Sequence, residues 1–389
     1  MKKTLAAVAL MGAFAGSAMA DVTIYGRVDL GLMANQNTYV SDTVPNVKYD
    51  SVTMDSGNFS ASRIGFKGSE KLGDDLTVGF VYETGLAADN GNADKTFNNR
   101  ESQVYVKGSF GTLAAGYMGT IMSDAGSYGF ASAAMNPIGT GAVDFQGTGL
   151  FARADARWSN MVLYQTPVMG GAQVSVQYGM GNDAENESSN DRYYAAGVNY
   201  KNGALQLVAV AEYLNEQSYH GTEVGVTEQD DMMSINVGGN YDFGVAKVYA
   251  GAQYFKNADN PAGAMDMLNG GLEAFFNYNP EHTCDDAKGY AVTLAMTAPV
   301  MGGEFAFGAT YLDGEGTVVG PRVSQTMSPT DALKHDFKAW NLGAYYTYSL
   351  SKQTYVYAIG GYTDFEAKST DGVGGYESAS FGFGLVHSF

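Results

Sequence analysis

The sequence predicts an all-β protein, a sixteen-stranded antiparallel transmembrane β-barrel. Three observations carry this prediction. Apolar and polar residues alternate in runs of about ten residues, the length of a tilted strand that crosses a bilayer. Short connections with turn-forming residues alternate with long polar ones. The chain also ends on Phe389 inside an alternating apolar run, where most proteins have a polar, frayed terminus.

The first twenty residues have the pattern of a secretory signal peptide. Two lysines precede an apolar stretch at 5–14, and residues 18–20 form a small-residue cleavage pattern. A short membrane anchor is the alternative, but the apolar stretch is shorter than the ~20 residues that a spanning helix needs. We therefore divide the chain into a signal peptide at 1–20 and one barrel domain at 21–389.

The composition fits a protein made of many strands. Of the 389 residues, 51 are glycine, roughly twice the usual share, and there are 27 tyrosines but only 8 prolines. The net charge of −19 becomes −21 without the two lysines of the signal peptide, and this acidity argues against nucleic acid as a partner. A single cysteine, Cys284, excludes a disulfide framework; we expect an isolated surface thiol, with an intermolecular bond as the alternative.

The alternation defines sixteen strands, an even number, as bacterial outer-membrane barrels require. In the first strand, Ile24 and Val28 lie on one side and Arg27 and Asp29 on the other. Because hydrocarbon offers no hydrogen-bond partner to a free edge, we expect the first strand to pair with the last. The predicted strands cover residues 22–33, 58–69, 76–85, 98–108, 112–120, 156–166, 172–180, 191–201, 204–214, 230–242, 245–256, 288–298, 304–313, 337–349, 353–363 and 376–389.

The connections between these strands are of two kinds. The short ones carry turn chemistry, such as Asn202–Gly203, where both residues accept positive φ. Alternation of short and long connections is typical of outer-membrane barrels, which have short periplasmic turns and long external loops. A soluble sandwich or propeller is the alternative, but strands there usually have ~5–6 residues. The long connections cover roughly 34–57, 86–97, 121–152, 181–190, 215–229, 257–287, 314–336 and 364–375.

Stretches along the whole mature chain resemble one known family, the Gram-negative general diffusion porins of betaproteobacterial and neisserial type. The matching stretches are VTIYGRVDLGL at 22–32, SRIGFKGSEKLGDDLTVGFVYE at 62–83, NRESQVYVKGSFGTL at 99–113, NPIGTG at 136–141, RWSNMVLYQTP at 157–167 and FGFGLVHSF at 381–389. The resemblance implies a homotrimeric outer-membrane channel for passive diffusion of ions and small hydrophilic solutes, without a cofactor. It also implies that the third external loop, here 121–152, folds into the lumen.

Basic residues are the candidates for the wall of the pore constriction. Arg63 and Lys67 share the polar side of their strand, and Arg27 looks inward in the same way. Arg100 and Arg157 match positions at which the family carries lumenal arginine. A strand-end role, in contact with headgroups or loop carboxylates, is the alternative for each arginine. We expect Arg100 at a strand end or after a bulge, because its parity is otherwise that of lipid-facing valines.

Two acids of the inward loop, Asp124 and Asp144, are the candidates to oppose this wall, with ordinary loop acidity as the alternative. Opposed charges across a narrow lumen produce a strong transverse field. Tyr117 stands where the family usually has an arginine, so the basic cluster is expected to be thinner than in relatives. We expect a weak preference for anions.

The last strand carries a further expectation. In such porins the barrel-assembly machinery reads the terminal aromatic strand, and Leu385, His387 and Phe389 resemble that signal. Many tyrosines, Tyr346 and Tyr348 among them, are expected in aromatic girdles at the two membrane surfaces, in contact with outer-membrane lipid.

No catalytic or metal-binding pattern accompanies these features. The four histidines are scattered, and no HExxH, CxxC or Gly-x-Ser-x-Gly motif occurs, so we predict no catalytic residues, no metal site and no enzyme. A barrel enzyme of the outer membrane is the remote alternative. The nearer alternative is a substrate-specific outer-membrane channel or a surface-binding barrel, which would use the long loops at 257–287 and 314–336. The sequence discriminates poorly between these functions and a general pore.

Overall fold

A computed structural model of the protein describes residues 22–42, 45–90, 99–138, 147–180, 192–215, 231–258, 283–284, 286–319, 333–369 and 372–389. The predicted signal peptide at 1–20 lies outside these residues, as does Asp144. The long loops at 257–287 and 314–336 are described only at their ends. Cys284 lies in a two-residue strand, and the role of its thiol stays a prediction.

The described residues form one antiparallel sheet with eighteen strands. They are β1 (Thr23–Ser41), β2 (Val47–Ser56), β3 (Arg63–Leu72), β4 (Leu76–Gly85), β5 (Glu101–Gly108), β6 (Gly111–Gly119), β7 (Arg157–Gln165), β8 (Ala172–Gly179), β9 (Arg192–Asn202), β10 (Leu205–Asn215), β11 (Met232–Asp242), β12 (Lys247–Ala258), β13 (Thr283–Cys284), β14 (Ala287–Val300), β15 (Gly303–Val319), β16 (Leu333–Ser349), β17 (Thr354–Ser369) and β18 (Gly372–Ser388). No helix among the described residues is long and apolar enough to cross a membrane.

These eighteen strands occupy sixteen positions around the barrel. The strands β2 and β3 lie end to end along β1, and β13 and β14 lie end to end along β15. Between β1 and β18 the sheet closes on itself over a register that runs from Arg27–Ser388 to Ser41–Gly374. The predictions of sixteen strands and of pairing between the first and the last are therefore confirmed. Closure leaves no free edge between the first and last strands, as hydrocarbon demands.

The predicted ends of several strands were wrong. We expected a loop at 34–57, but β1 continues to Ser41 and residues 47–56 form β2, paired from Leu30–Ser56 to Tyr39–Val47. We also expected a loop at 364–375, where β17 and β18 continue as a hairpin. In β2 both faces are largely exposed, so the apolar–polar alternation of a membrane strand is absent. In β17 the alternation continues in the opposite sense, since Phe365 and Ala367 are buried on the inner face while Glu366 and Lys368 are exposed on the outer one.

The two faces of each strand have the predicted character. On β18, the outer face presents Phe381 and Phe383, with 58% and 53% of their surface exposed, while Val386 is buried on the inner face. At one rim, the Tyr346 hydroxyl donates to the Val300 carbonyl of a short turn at 3.2 Å. At the other rim, outward tyrosine rings lie side by side across neighbouring strands. This is the arrangement of two aromatic girdles.

The third external loop folds into the lumen, as the resemblance implies. It contains a short helix, α1 (Ala131–Met135), and a 3-10 turn at Gly147–Leu150. Alanine favours the helix, and Asn136 ends it in an extended conformation because Pro137 follows. The helix is buried against β10, β11 and β12.

Small residues on the wall make room for this helix. A Cβ added to Gly251 would lie 2.8 Å from Met135 Sδ, and one added to Gly238 would lie 2.7 Å from Met135 Cγ. The glycines therefore allow Met135 to pack directly on the backbone of β11 and β12, which places α1 flat against the inner wall.

Polar side chains of the wall tie the rest of the loop down. The side chain of Gln177 accepts from the Ile121 N–H at 2.8 Å, and that of Gln253 bonds both the N–H and the carbonyl of Ala152, at 2.7 and 2.6 Å. Farther along, Asn136 Nδ2 donates to Thr293 Oγ1 at 2.7 Å. These inward amides and hydroxyls satisfy loop groups that would otherwise be buried without a partner.

Candidate functional site

Four arginines meet on one side of the lumen. Arg27 on β1 and Arg63 on β3 are direct partners across the strand pair. Arg100 lies immediately before β5, at a strand end as expected, and Arg157 is the first residue of β7. Arg63 interacts electrostatically with the other three. The structure thus brings together four of the five predicted basic residues, which we call the arginine wall.

A carboxylate that sequence reasoning missed lies at the centre of the arginine wall. Glu83 on β4 accepts from Arg100 Nε at 2.8 Å and pairs with Arg63 Nη1 at 3.4 Å, both through Oε1. Its Oε2 accepts from the Tyr25 hydroxyl at 3.1 Å. One buried acid therefore reduces the repulsion between two guanidinium groups and fixes their positions. Its place on the polar side of β4 was the signal that could have identified it.

The fifth predicted basic residue lies apart from the arginine wall. Lys67 is on the same face of β3 but four residues nearer the short-turn end, about 13 Å along the strand from Arg63. Its Nζ lies 5.0 Å from the centre of the Tyr25 ring, a cation–π contact. Lys67 thus extends the basic surface towards the periplasmic side.

The loop acid Asp124 faces this wall. It is exposed at the start of the inward loop and interacts electrostatically with Arg157. Tyr117 is also within electrostatic reach of Arg157. The register between β6 and β7 shifts next to Tyr117, between Gly116 and Met118. A tyrosine thus stands beside Arg157.

A second acid that sequence reasoning missed anchors the loop near the arginine wall. Glu101 is 2% exposed, and its carboxylate accepts from the Ser127 N–H at 3.1 Å and the Ser127 hydroxyl at 3.0 Å. It also accepts from Gln103 Nε2 at 2.9 Å. Glu101 follows Arg100 directly, within a family-like stretch, but the sequence does not reveal that it holds the loop.

Accessible charge on this side of the lumen is basic. The side chains of Arg63 and Arg100 are 21% and 15% exposed, against 7% for Glu83. Glu101 and Asp29 are more deeply buried still and are bonded to backbone and side-chain donors. The exposed charges here are therefore guanidinium groups on the wall and one carboxylate, Asp124, on the loop.

A sequence profile of the Gram-negative porins matches residues 6–368. The chain belongs to this family. An outer membrane porin protein of Bordetella pertussis is 29% identical to this porin over 418 residues, covering all of both chains. The major outer membrane protein P.IB of Neisseria meningitidis is 33% identical over 206 residues, which are 53% of this chain and 57% of that protein.

Solved structures of other outer-membrane proteins share the fold of this porin. An anion-selective porin from Comamonas acidovorans has a TM-score of 0.64 at 21% identity, covering 95% of this chain and all of that one. OmpT of Vibrio cholerae, in its trimer form, has a TM-score of 0.54 at 18% identity, covering 95% and 99%. Family and fold together make this protein an outer-membrane channel of a Gram-negative bacterium, through which ions and small hydrophilic solutes diffuse passively. The family consists of channels rather than enzymes.

Proposed function

We propose that this porin is a homotrimer whose pores prefer anions, with the arginine wall as the basic side of the constriction. Asp124 and Asp144 of the inward loop form the acidic side, and Lys67 extends the basic surface towards the periplasm. The gathering of four arginines on one side of the lumen, two of them paired with Glu83, carries the proposal. The anion selectivity of the Comamonas porin and the trimer form of the Vibrio protein, which share the fold, are consistent with it.

The local field, rather than the total charge, should govern selectivity. The mature chain is strongly acidic, but charges that are far from the pore axis are screened over about 8 Å at physiological salt. Charges in the narrowest, partly desolvated section act on each permeating ion at close range. The guanidinium groups there are more accessible than the buried acids Glu83, Glu101 and Asp29. The field in the constriction should therefore stabilise a permeating anion more than a permeating cation.

Planar-bilayer recording of the purified porin under a salt gradient tests this proposal. We expect conductance steps in multiples of three and a reversal potential with the sign of an anion-selective pore. Arg63→Ala should move that potential towards cation selectivity. Arg192→Ala removes an arginine on the outward side of β9 and is the matched control. A cation-selective wild type, or no change on Arg63→Ala, would contradict the assignment of the arginine wall.

Two further proposals concern biogenesis. We infer that residues 1–20 are removed on export, which N-terminal sequencing of the mature protein tests; an intact leader would contradict it. We also infer that Leu385, His387 and Phe389 are read by the barrel-assembly machinery. All three side chains are exposed on the outer face of β18, where a partner or lipid can contact them. Replacing all three with alanine should lower the amount of assembled barrel in cells without preventing refolding in detergent.

A further inference from the structure

A six-residue segment between β2 and β3, residues 57–62, departs from the barrel wall. It begins at Gly57, whose φ of 83° lies in the left-handed region that favours glycine. The Gly57 N–H donates to the Asp29 carbonyl at 3.0 Å, and the Leu86 N–H donates to the Ser62 carbonyl at 3.0 Å, which fixes both ends. We call it the inner segment.

A buried carboxylate on β1 organises the inner segment. Asp29 Oδ2 accepts from the N–H groups of Phe59 and Ser60, at 2.8 and 2.7 Å, and Oδ1 accepts from the Tyr357 hydroxyl at 2.7 Å. The Asp29 N–H donates to Ser62 Oγ at 2.9 Å. Asp29 is fully buried, so these bonds provide its carboxylate with the partners that it needs.

The Phe59 ring anchors the inner segment to β16 and β17, the two strands that follow β18 around the barrel from β1. Phe59 stacks on Tyr357, with ring centres 5.2 Å apart, and meets the edges of Tyr345 and Tyr355 at 5.1 and 5.9 Å. Tyr345 and Tyr357 are buried on the inner face of β16 and β17. Phe59 therefore reaches from the β1–β3 side into the lumen. A glycine on β18 makes this possible, since a Cβ at Gly384 would collide with the Tyr357 hydroxyl.

The inner segment contacts two members of the arginine wall. Arg27 Nη1 donates to the Ser60 hydroxyl, and Arg63 Nε donates to the Ala61 carbonyl at 3.0 Å. Arg63 has Glu83 as a second partner, and Arg27 interacts with Asp29 only through charge. The Ser60 hydroxyl and the Ala61 carbonyl, on adjacent residues of the inner segment, thus hold the guanidinium groups of Arg27 and Arg63 in place.

We propose that the inner segment is a positioning element that sets the ion preference of the pore, with Asp29 and Phe59 as its anchors. It acts through Arg27 and Arg63, and the inference rests on the proposed role of the arginine wall. Arginine side chains are long and flexible, so an unattached guanidinium samples many positions. Consider an ion that passes about 4 Å from a guanidinium group in a water-like medium. If that distance doubles, the contribution of the guanidinium group to the permeability ratio falls by a factor of about two.

Salt-gradient recordings of anchor variants test the proposal. Phe59→Ala, which changes no charge, should lower the anion-to-cation permeability ratio, by about twofold for each arginine that moves. Phe59→Leu keeps an apolar side chain among the three tyrosines that surround Phe59, and it should retain most of the wild-type ratio. The matched control is Phe307→Ala, which removes an outward ring on β15 and should leave the ratio unchanged. Equal ratios for Phe59→Ala and the wild type would overturn the proposal.

A double-mutant cycle separates positioning from a general change of shape. In an Arg27→Ala/Arg63→Ala background, Phe59→Ala should have no further effect on the ratio, because the groups through which it acts are absent. An undiminished effect there would show that Phe59 acts on the pore directly and would overturn the proposal. If the two arginine substitutions alone leave the ratio unchanged, the arginine wall itself is the part that fails.

A milder variant covers the case in which an anchor substitution prevents folding. Ser60 is only half-buried, and Ser60→Ala removes the hydroxyl that accepts from Arg27 while leaving both anchors in place. It should fold as a heat-resistant trimer and lower the permeability ratio in the same direction as Arg27→Ala but by less, because the released guanidinium keeps its charge. A wild-type ratio for Ser60→Ala, alongside a lowered ratio for Arg27→Ala, would overturn the positioning role.

Discussion

Gly26 and Phe389 close the barrel through a reciprocal pair of backbone hydrogen bonds. The Gly26 N–H donates to the Phe389 carbonyl at 3.1 Å, and the Phe389 N–H donates to the Gly26 carbonyl at 3.0 Å. The last residue of the chain is thus part of the sheet, and its ring lies exposed on the outer face. The backbone of Phe389 closes the barrel, and its ring lies separately on the outer surface, where a partner or lipid can contact it.

Deletion of Phe389 should weaken this closure more than Phe389→Ala does. The deletion removes both bonds, at about 0.5–1.5 kcal/mol each in water and more in hydrocarbon, whereas the alanine variant keeps them. Thermal unfolding of protein refolded in detergent measures the difference. Equal destabilisation by the two changes would show that the ring, and not the backbone pair, stabilises the closure. Assembly in cells should suffer in both variants.

Glu83→Gln should increase the preference for anions and destabilise the barrel. The substitution removes a negative charge from the centre of the arginine wall and leaves two guanidinium groups facing each other. Breaking a buried pair typically costs about 3–5 kcal/mol, and contact with lumen water should reduce this to about 2 kcal/mol. Reversal potential and unfolding in denaturant report the two effects.

Glu70→Gln is the control for that experiment, because Glu70 is an exposed acid near the short-turn end of β3. A shift of the Glu83→Gln pore towards cations would contradict the prediction. It would mean that Glu83 matters mainly by holding Arg63 and Arg100 in place.

Lys67→Ala should change selectivity less than Arg63→Ala. Lys67 lies about 13 Å along the strand from Arg63, farther than the ~8 Å over which charges act at physiological salt. Reversal potentials of the two variants, recorded at the same salt gradient, provide the comparison. A larger shift for Lys67→Ala would move the narrowest point of the pore towards the periplasmic end.

Gly251→Val should lower the single-channel conductance. The new side chain would take the space of Met135 and push α1 away from the wall into the lumen. Met135→Ala in the same chain should restore the conductance by returning that space. Gly360→Val is the matched control, because a Cβ there meets only ordinary contacts, at 3.5 Å and beyond. Unchanged conductance in Gly251→Val would show that the loop does not narrow the path at α1.

The positions and faces of the strands were largely predictable from the sequence, whereas the side-chain contacts between strands were not. Alternation correctly assigned the inner side of Arg27, Arg63 and Lys67 and the outer side of Phe381 and Phe383. It failed for the extensions of β1, β2, β17 and β18, where the outward face is no longer continuously apolar. It also missed Glu83, Glu101 and the inner segment, since these depend on which strands are neighbours and in what register.

By itself, the sequence determined that this protein is a sixteen-stranded outer-membrane barrel closed by its terminal strand. The physical reason is local: hydrocarbon outside and water inside impose a period of two on every spanning strand. Tertiary structure alone decided that Glu83 joins Arg63 to Arg100, that Glu101 holds the inward loop, and that Phe59 reaches past β18 to the tyrosines of β16 and β17. A period of two specifies a face, but the register between strands and the path of inserted segments determine which side chains on that face meet.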